Sequence, residues 1–242
     1  MRFSFVHPAI LALALLGCAV APAATSAPAS KAAAVSAAVP LVRLHGNPGE
    51  TMEFVVTLRG LTIGRVQTAV GQPGWVNGRR SIIVKSRATV EGLIAVFSEY
   101  LGELTTTLDL ERGTPIEMHK EEWMVLDGNR DHNEYHRTWS DETHDPHSAA
   151  GVLRGWRSQP GDRGAVTMWF GGGSTVEVID AGRVVFPDGN RPAVLYEGTA
   201  EGDHRFTVWI SDDAARVPLR MQASTKFGVV NAELVHYEAA PD

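Results

Sequence analysis

Apolar and polar residues alternate in short runs over most of the chain, the period-two pattern of strands that bury one face. In 205–210, Phe206, Val208 and Ile210 share a face; Met221, Ala223, Thr225 and Phe227 repeat the arrangement, as do Val230, Ala232 and Leu234. Two more strands are predicted at 52–58 and 61–70, broken at Gly60, with Gly64 marking a bulge or a close backbone approach. Asn77-Gly78 is a hairpin signal, and a strand at 81–85 follows it. Runs at 104–110, 116–124, 133–139, 166–170 and 175–179 read the same way. The last two flank Gly171-Gly172-Gly173-Ser174, a hairpin connection. Asp180-Ala181-Gly182 and Pro187-Asp188-Gly189-Asn190 read as turns.

Two segments carry a helical pattern instead: the short apolar run 90–97, and 146–156 with Pro146 in its first turn. Consecutive strands this close in sequence pair most simply as antiparallel neighbours. The expected fold is mainly β: a large curved antiparallel sheet, an open half-barrel, with one or two short helices on its concave side. A single domain is predicted over 42–242.

The N-terminus reads differently. Arg2 precedes an apolar core, Pro8 to Leu16, about half the length of a membrane-spanning helix and followed by small residues. This is the pattern of a signal peptide over 1–17. The chain's one cysteine, Cys18, directly follows Leu15-Leu16-Gly17. That placement resembles the lipobox of bacterial lipoproteins and marks Cys18 as a lipid-attachment residue; the alternative is ordinary cleavage after Ala21, Ala23 or Ala27. Ala19 after the cysteine resembles lipoproteins sorted to the outer membrane. Residues 18–41 are almost wholly Ala, Pro, Ser, Thr and Val without an apolar face, which predicts a tether roughly 25 Å from end to end. The expected location is therefore exported and periplasm-facing, on the outer membrane through the lipid or else soluble in the periplasm.

Charge narrows the partners. The formal net charge is -6, and no basic run exceeds Arg79-Arg80, so nucleic acid and anionic headgroups find no clustered cations. Contact with a membrane is expected only through the lipid anchor. A domain without cysteine has no intramolecular disulfide.

Candidate chemistry is sparse. The segment from Asp131 through His132, Glu134, His136, Asp141, His144 and Asp145 to His147 invites a metal reading. On a strand, however, same-face neighbours are roughly 6–7 Å apart, leaving His132 and His136 too distant to share one ion unaided. His144 and His147, before a helix, are better placed to meet. No Gly-x-Ser-x-Gly elbow exists, and the glycine run lacks the Lys-Ser/Thr of a phosphate cradle. Glu121-Glu122 and Asp212-Asp213 are adjacent pairs whose members point to opposite faces of a strand. No cofactor is expected. The six tryptophans serve either as core or as the lining of an apolar cavity inside the curved sheet.

Several stretches resemble a known bacterial envelope family, domain of unknown function 3108. They are Asp145-Pro146-His147-Ser148 with Leu153-Arg154; Val208-Trp209-Ile210-Ser211-Asp212-Asp213 with Arg216-Val217-Pro218-Leu219-Arg220; Phe227-Gly228-Val229 with Glu233-Leu234; and Gly49-Glu50 with Gly60 to Gly64. His147 and Gly151 stand where larger apolar residues are expected. The resemblance implies a half-barrel like the LolA/LolB lipoprotein-carrier fold and no enzyme activity. It marks Asp145, Ser148, Leu153, Arg154, Trp209, Asp212 and Pro218 as structural or binding residues, and Arg154 is expected to pair with Asp145.

These readings favour a non-enzymatic binding module for a lipid, an acyl chain or an apolar protein segment. The alternatives are an assembly factor acting through protein contacts, and a metal-assisted hydrolase built on the His132 to His147 segment.

Overall fold

The computed structural model describes residues 38–41, 43–126, 128–169, 173–200, 204–225 and 227–240. The leader, Cys18 and most of the tether lie outside the described residues. Alternation produces short strands from the start: β1 (Val39–Pro40), β2 (Thr51–Leu58), β3 (Leu61–Val70), β4 (Gly74–Val76) and β5 (Arg79–Val90). Then come β6 (Ser98–Asp109), β7 (Pro115–Leu126) and β8 (Asn129–Thr138), followed by one helix, α1 (Pro146–Gly155). The second half contains β9 (Arg163–Trp169), β10 (Gly173–Val185), β11 (Pro192–Ala200), β12 (His204–Ser211), β13 (Pro218–Thr225) and β14 (Gly228–Glu238).

All of them join one sheet, in the order β1-β9-β10-β11-β12-β13-β14-β2-β3-β5-β6-β7-β8, with β4 paired to β5 beside that path. Neighbours are antiparallel except β1 on β9, where Val39 faces Gly164 in parallel register. Sequential hairpins build each half, and the last strand returns to the first long one: β14 pairs with β2, Ala232 opposite Val56. The sheet is mainly β as expected and is not closed into a barrel.

Bulges curl the sheet. One lies between Val56 and Thr57, opposite Ile63 and next to Gly64; others leave Leu219 of β13 unpaired opposite Trp209/Ile210 and interrupt β14 at Leu234/His236. The resulting bowl wraps α1. One side of the helix, with Ala149, Val152 and Leu153, packs on Val166, Val178, Val194, Tyr196 and Ile210 from β9 to β12. Its other side reaches β5 and β6 through His147.

The two ends of the sheet meet through side chains of β8 and β9 and through a short backbone bridge that His144, beyond β8, makes to β9. Its N–H donates to the Thr167 carbonyl and its carbonyl accepts from the Trp169 N–H, each at 2.8 Å. Trp169 of β9 stacks on Tyr135 of β8 at 5.1 Å and meets Trp139 edge-on at 6.3 Å. The Arg137 guanidinium lies 4.5 Å from the Trp139 ring centre and 4.3 Å from that of Trp169.

Four expectations change. Residues 90–97 form no α-helix: β5 runs to Val90, and Gly92–Val96 makes a 3-10 turn, because Gly92 at φ +69° packs against the Thr62 carbonyl and so short a run cannot nucleate a helix. Asp180-Ala181-Gly182 is not a turn but a bulge inside β10, held by the Gly182 N–H donating to Asp180 Oδ1 at 2.7 Å. Val39 and Pro40, which composition assigns to the tether, pair with β9, and Leu41 joins the core. β11 was not anticipated at all; the turn residues around Pro187–Asn190 mask a strand whose Val194 and Tyr196 are fully buried.

Candidate functional site

The site is built around α1. Asp145 caps the helix: its Oδ1 accepts from the Ser148 N–H at 2.9 Å, while Ser148 Oγ accepts from the Asp145 N–H at 3.0 Å. This reciprocal capping box, with Pro146 opening the helix, explains why the Asp-Pro-His-Ser segment turns helical at that point.

Beyond the cap, a chain of buried hydrogen bonds crosses three strands. Inward-facing positions alternate along β3, β5 and β6, and at Thr68, Ser86 and Thr106 a polar residue stands where the pattern calls for an apolar one. Thr68 and Ser86 are direct cross-strand partners, with their hydroxyls 2.8 Å apart. Ser86 Oγ lies 2.7 Å from His147 Nε2, and His147 Nδ1 lies 2.8 Å from Thr106 Oγ1. Thr106 in turn donates to Asp145 Oδ2.

The carboxylate sets the direction of the whole relay. With its proton on Asp145, Thr106 accepts from Nδ1–H of His147; Nε2 then accepts from Ser86, and Ser86 accepts from Thr68. Burial lowers the His147 pKa, the Asp145 charge only partly opposing it, which keeps the ring neutral as this tautomer requires.

The far end of α1 holds a second network. Arg154 does not pair with Asp145, which lies nine residues away and roughly 13 Å along the helix axis. It grips Glu50 instead, Nη1 to Oε1 at 2.6 Å and Nη2 to Oε2 at 3.0 Å. Burial pushes the Glu50 carboxyl up, but the Arg154 bonds and charge, with help from Asn47, outweigh it and hold the pKa below the usual value. Arg154 also donates to the Ala215 and Arg216 carbonyls. Buried Arg216, at φ +50°, caps the Arg154 and Trp156 carbonyls and donates to Tyr196 Oη at 2.7 Å.

An N-terminal strap, residues 43–46, crosses α1 where it has no side chains. A β-carbon at Gly151 would lie 2.4 Å from Leu44 Cδ1, and one at Gly155 would lie 1.8 Å from the Arg43 carbonyl oxygen. Gly151 therefore replaces an apolar residue for a steric reason.

Between strap, helix and strands lies a cavity of about 190 Å³. Its wall is chiefly apolar, with Met52, Phe54, Val70, Val84 and Leu108 prominent, and Thr68, His147, His45 and Arg154 adding polar groups. No tryptophan lines it. Trp156 stacks on Tyr196, Trp139 and Trp169 belong to the seam, Trp123 stacks on its cross-strand neighbour His132, and Trp75 is 73% exposed, so these aromatics serve as core, seam and surface.

Of the residues singled out from sequence, Asp145, Ser148, Leu153, Arg154 and Pro218 gather around α1 and the cavity. Trp209 and Asp212 do not. Trp209 lies on the face of β12 opposite Val208 and Ile210, in a small cluster with Phe186 and Leu219, and Asp212 pairs with Arg183 at 3.3 Å. Cys18 lies outside the described residues. Glu50 appeared in the sequence only as part of a motif, and Thr68, Ser86, Thr106 and Arg216 were not singled out for function. Polar residues at inward register on adjacent strands were the available signal for the three hydroxyls.

The histidine segment disperses. His119 pairs with Glu134 at 2.8 Å and His132 with Glu121 at 2.9 Å, both exposed on the β7–β8 pair. His147 is bonded at both ring nitrogens, while buried His144 has an Nδ1 without a partner among the described residues. Among the described residues no three His, Cys, Asp or Glu side chains converge as a metal site. Ser86 and His147 have the spacing of a nucleophile and its base, but Ser86 is buried and does not line the cavity.

The fold and site define an open antiparallel half-barrel closed around one internal helix, with an apolar cavity beside that helix. The chain belongs to the family described as Protein of unknown function (DUF3108), whose model matches residues 53–235. No curated protein matches it. Among solved structures it is similar to a beta-barrel-like protein of domain of unknown function DUF1849 from Brucella abortus, at 12% identity and a TM-score of 0.57, covering 84% of this chain and 100% of that one. A DUF1329 family protein from Desulfovibrio piger matches at 9% identity and a TM-score of 0.34, over 80% of this chain and 86% of that one. The first likeness is one of fold, consistent with a LolA-like half-barrel.

Proposed function

We infer that this protein is a non-enzymatic binding module of the cell envelope that holds an apolar group, from a lipid, an acyl chain or a protein segment, inside its half-barrel. The observation that carries this reading is the cavity of about 190 Å³ between α1, the strap and β2, β3, β5 and β6, with a mainly apolar wall. An apolar cavity of about 150 Å³ already admits a benzene-sized guest. The site therefore suits one short alkyl or aromatic group, not a whole lipid. The leader and Cys18 support export and a lipid anchor, with the Ala/Pro-rich segment as tether.

Native mass spectrometry of the protein extracted from its membrane fraction tests both parts. A diacylglyceryl-modified Cys18 together with a non-covalent apolar adduct supports the reading. A bare chain beginning after Ala21, Ala23 or Ala27, with no adduct and no displaceable hydrophobic probe, overturns it.

A second reading, assembly through protein contacts, draws support from one place. Leu93 and Val96 of the 3-10 turn and Phe97 just after it are 71%, 73% and 74% exposed, beside Leu61 at 62% in the β2–β3 hairpin. Such a cluster suits a partner surface. Site-specific crosslinking from Phe97 in cells should then trap one envelope protein; a clean lane counts against it.

A further inference from the structure

We propose that the cavity selects neutral apolar ligands bearing a hydrogen-bond donor, such as an alkyl alcohol, over carboxylates and over ligands that only accept. The proposal rests on the apolar-ligand reading and specifies its ligand class.

The argument follows the protons. Asp145 Oδ1 accepts from Ser148 N–H and Oγ–H, and Oδ2 accepts from Thr106. Every donor in the relay therefore points toward that carboxylate, ending at Thr68, whose hydroxyl proton is committed to Ser86. Thr68 lines the cavity, so what it can offer a ligand is a lone pair.

The other polar groups of the wall agree. Arg154 spends four of its five N–H donors on Glu50 and on the Ala215 and Arg216 carbonyls. His45 donates Nε2–H to the Ala215 carbonyl at 3.1 Å, which leaves Nδ1 as an acceptor. Burial, and then the Arg154 charge, lower the His45 pKa, so the ring carries no cation to balance an anion. His147 has both nitrogens engaged. The wall thus presents acceptors, and its one guanidinium is already neutralised by Glu50. A buried carboxylate would lose its water and gain no free counter-charge, since the one guanidinium is already paired with Glu50. A hydroxyl would donate to Thr68 or His45 and keep its alkyl body against Phe54, Val84 and Leu108.

Isothermal titration of the full-length protein at neutral pH with 1-hexanol, methyl hexanoate and hexanoate reads this directly. Hexanol should bind several-fold more tightly than the ester, the value of about one neutral hydrogen bond, and at least about tenfold more tightly than the carboxylate. Thr68→Val should reduce the preference for hexanol over the ester, and Thr68→Ser should restore it; thermal melting of both variants controls for folding. A carboxylate that binds as well as the alcohol overturns the donor preference while leaving the apolar-ligand reading standing. A preference unchanged in a folded Thr68→Val variant overturns the assignment to Thr68. Failure of all three probes to bind overturns the preference and the underlying reading together.

Discussion

Arg154 and Arg216 each donate their Nε–H to the other's backbone carbonyl, at 2.8 and 3.1 Å, across 62 residues of chain. One sits at the end of α1 and the other in the β12–β13 turn, so this reciprocal pair bolts the internal helix to the sheet. Both side chains are buried, and only Arg154 has a carboxylate in direct contact, Glu50. Arg216 is linked through Tyr196 and Ser158 to Asp180. Buried guanidiniums that satisfy carbonyls at a helix end do by side chain what water does at an exposed one.

Arg154→Ala should therefore act on stability first. It leaves Glu50 buried without a counter-charge, a loss of about 3–5 kcal/mol, and strips donors from two carbonyls. Urea denaturation should show a lower midpoint with an unchanged slope. Glu50→Leu added to Arg154→Ala should recover part of the loss, since no lone charge then remains; a double variant no more stable than Arg154→Ala alone contradicts the account.

The strap gives a steric prediction. Gly155→Ala puts a methyl group 1.8 Å from the Arg43 carbonyl oxygen, which is backbone and cannot swing aside. Overpacking of this kind costs about 1–3 kcal/mol. Faster tryptic cleavage at Arg43, measured beside the urea midpoint, should report the strap lifting from α1.

Acid should weaken the fold in two stages. The folded pKa of His147 is lowered by burial, so its contribution is complete above the unfolded value of about 6.5 and is lost as pH falls from there toward the folded value. The folded pKa of Glu50 is also lowered, so its contribution is present above its ordinary value of 4.5 and falls away below it. His147→Gln keeps a donor and an acceptor without titrating. It should shrink the first stage, to which His45 and His144 also contribute because burial lowers their pKa values as well, and leave the second; a first stage of undiminished size in this variant would assign it to those two.

The side-chain seam should be the weakest closure of the bowl. Trp169→Ala removes the stack on Tyr135, the edge contact with Trp139 and one face of the Arg137 site. Each such contact is worth about 0.5–1.5 kcal/mol. Hydrogen exchange should quicken in β8 well before it does in β2 and β14 at the centre of the sheet; uniform quickening would mean the seam is part of the global core.

What the sequence determined by itself is local. Alternation at 206–210 and 230–234 specifies strands with one buried face, because successive side chains on a strand point to opposite sides. Asp145, Pro146 and Ser148 specify a helix start, because a capping box needs only residues three apart. The proposed leader and lipid-attachment site at Cys18 are read in the same way, from a pattern along the chain. The tertiary structure decided which distant residues meet. Glu50 rather than Asp145 takes Arg154, since a helix ten residues long carries its two ends apart while the curled sheet brings position 50 to position 154. Thr68, Ser86 and Thr106 were visible as polar residues in apolar register, but only sheet register and the turn of α1 join them to His147 and Asp145 in one relay. Gly151 looked like a gap in the helix pattern until the strap filled it. Long-range pairing depends on loop paths and curvature that no window of sequence contains, and the cavity exists only where those paths converge.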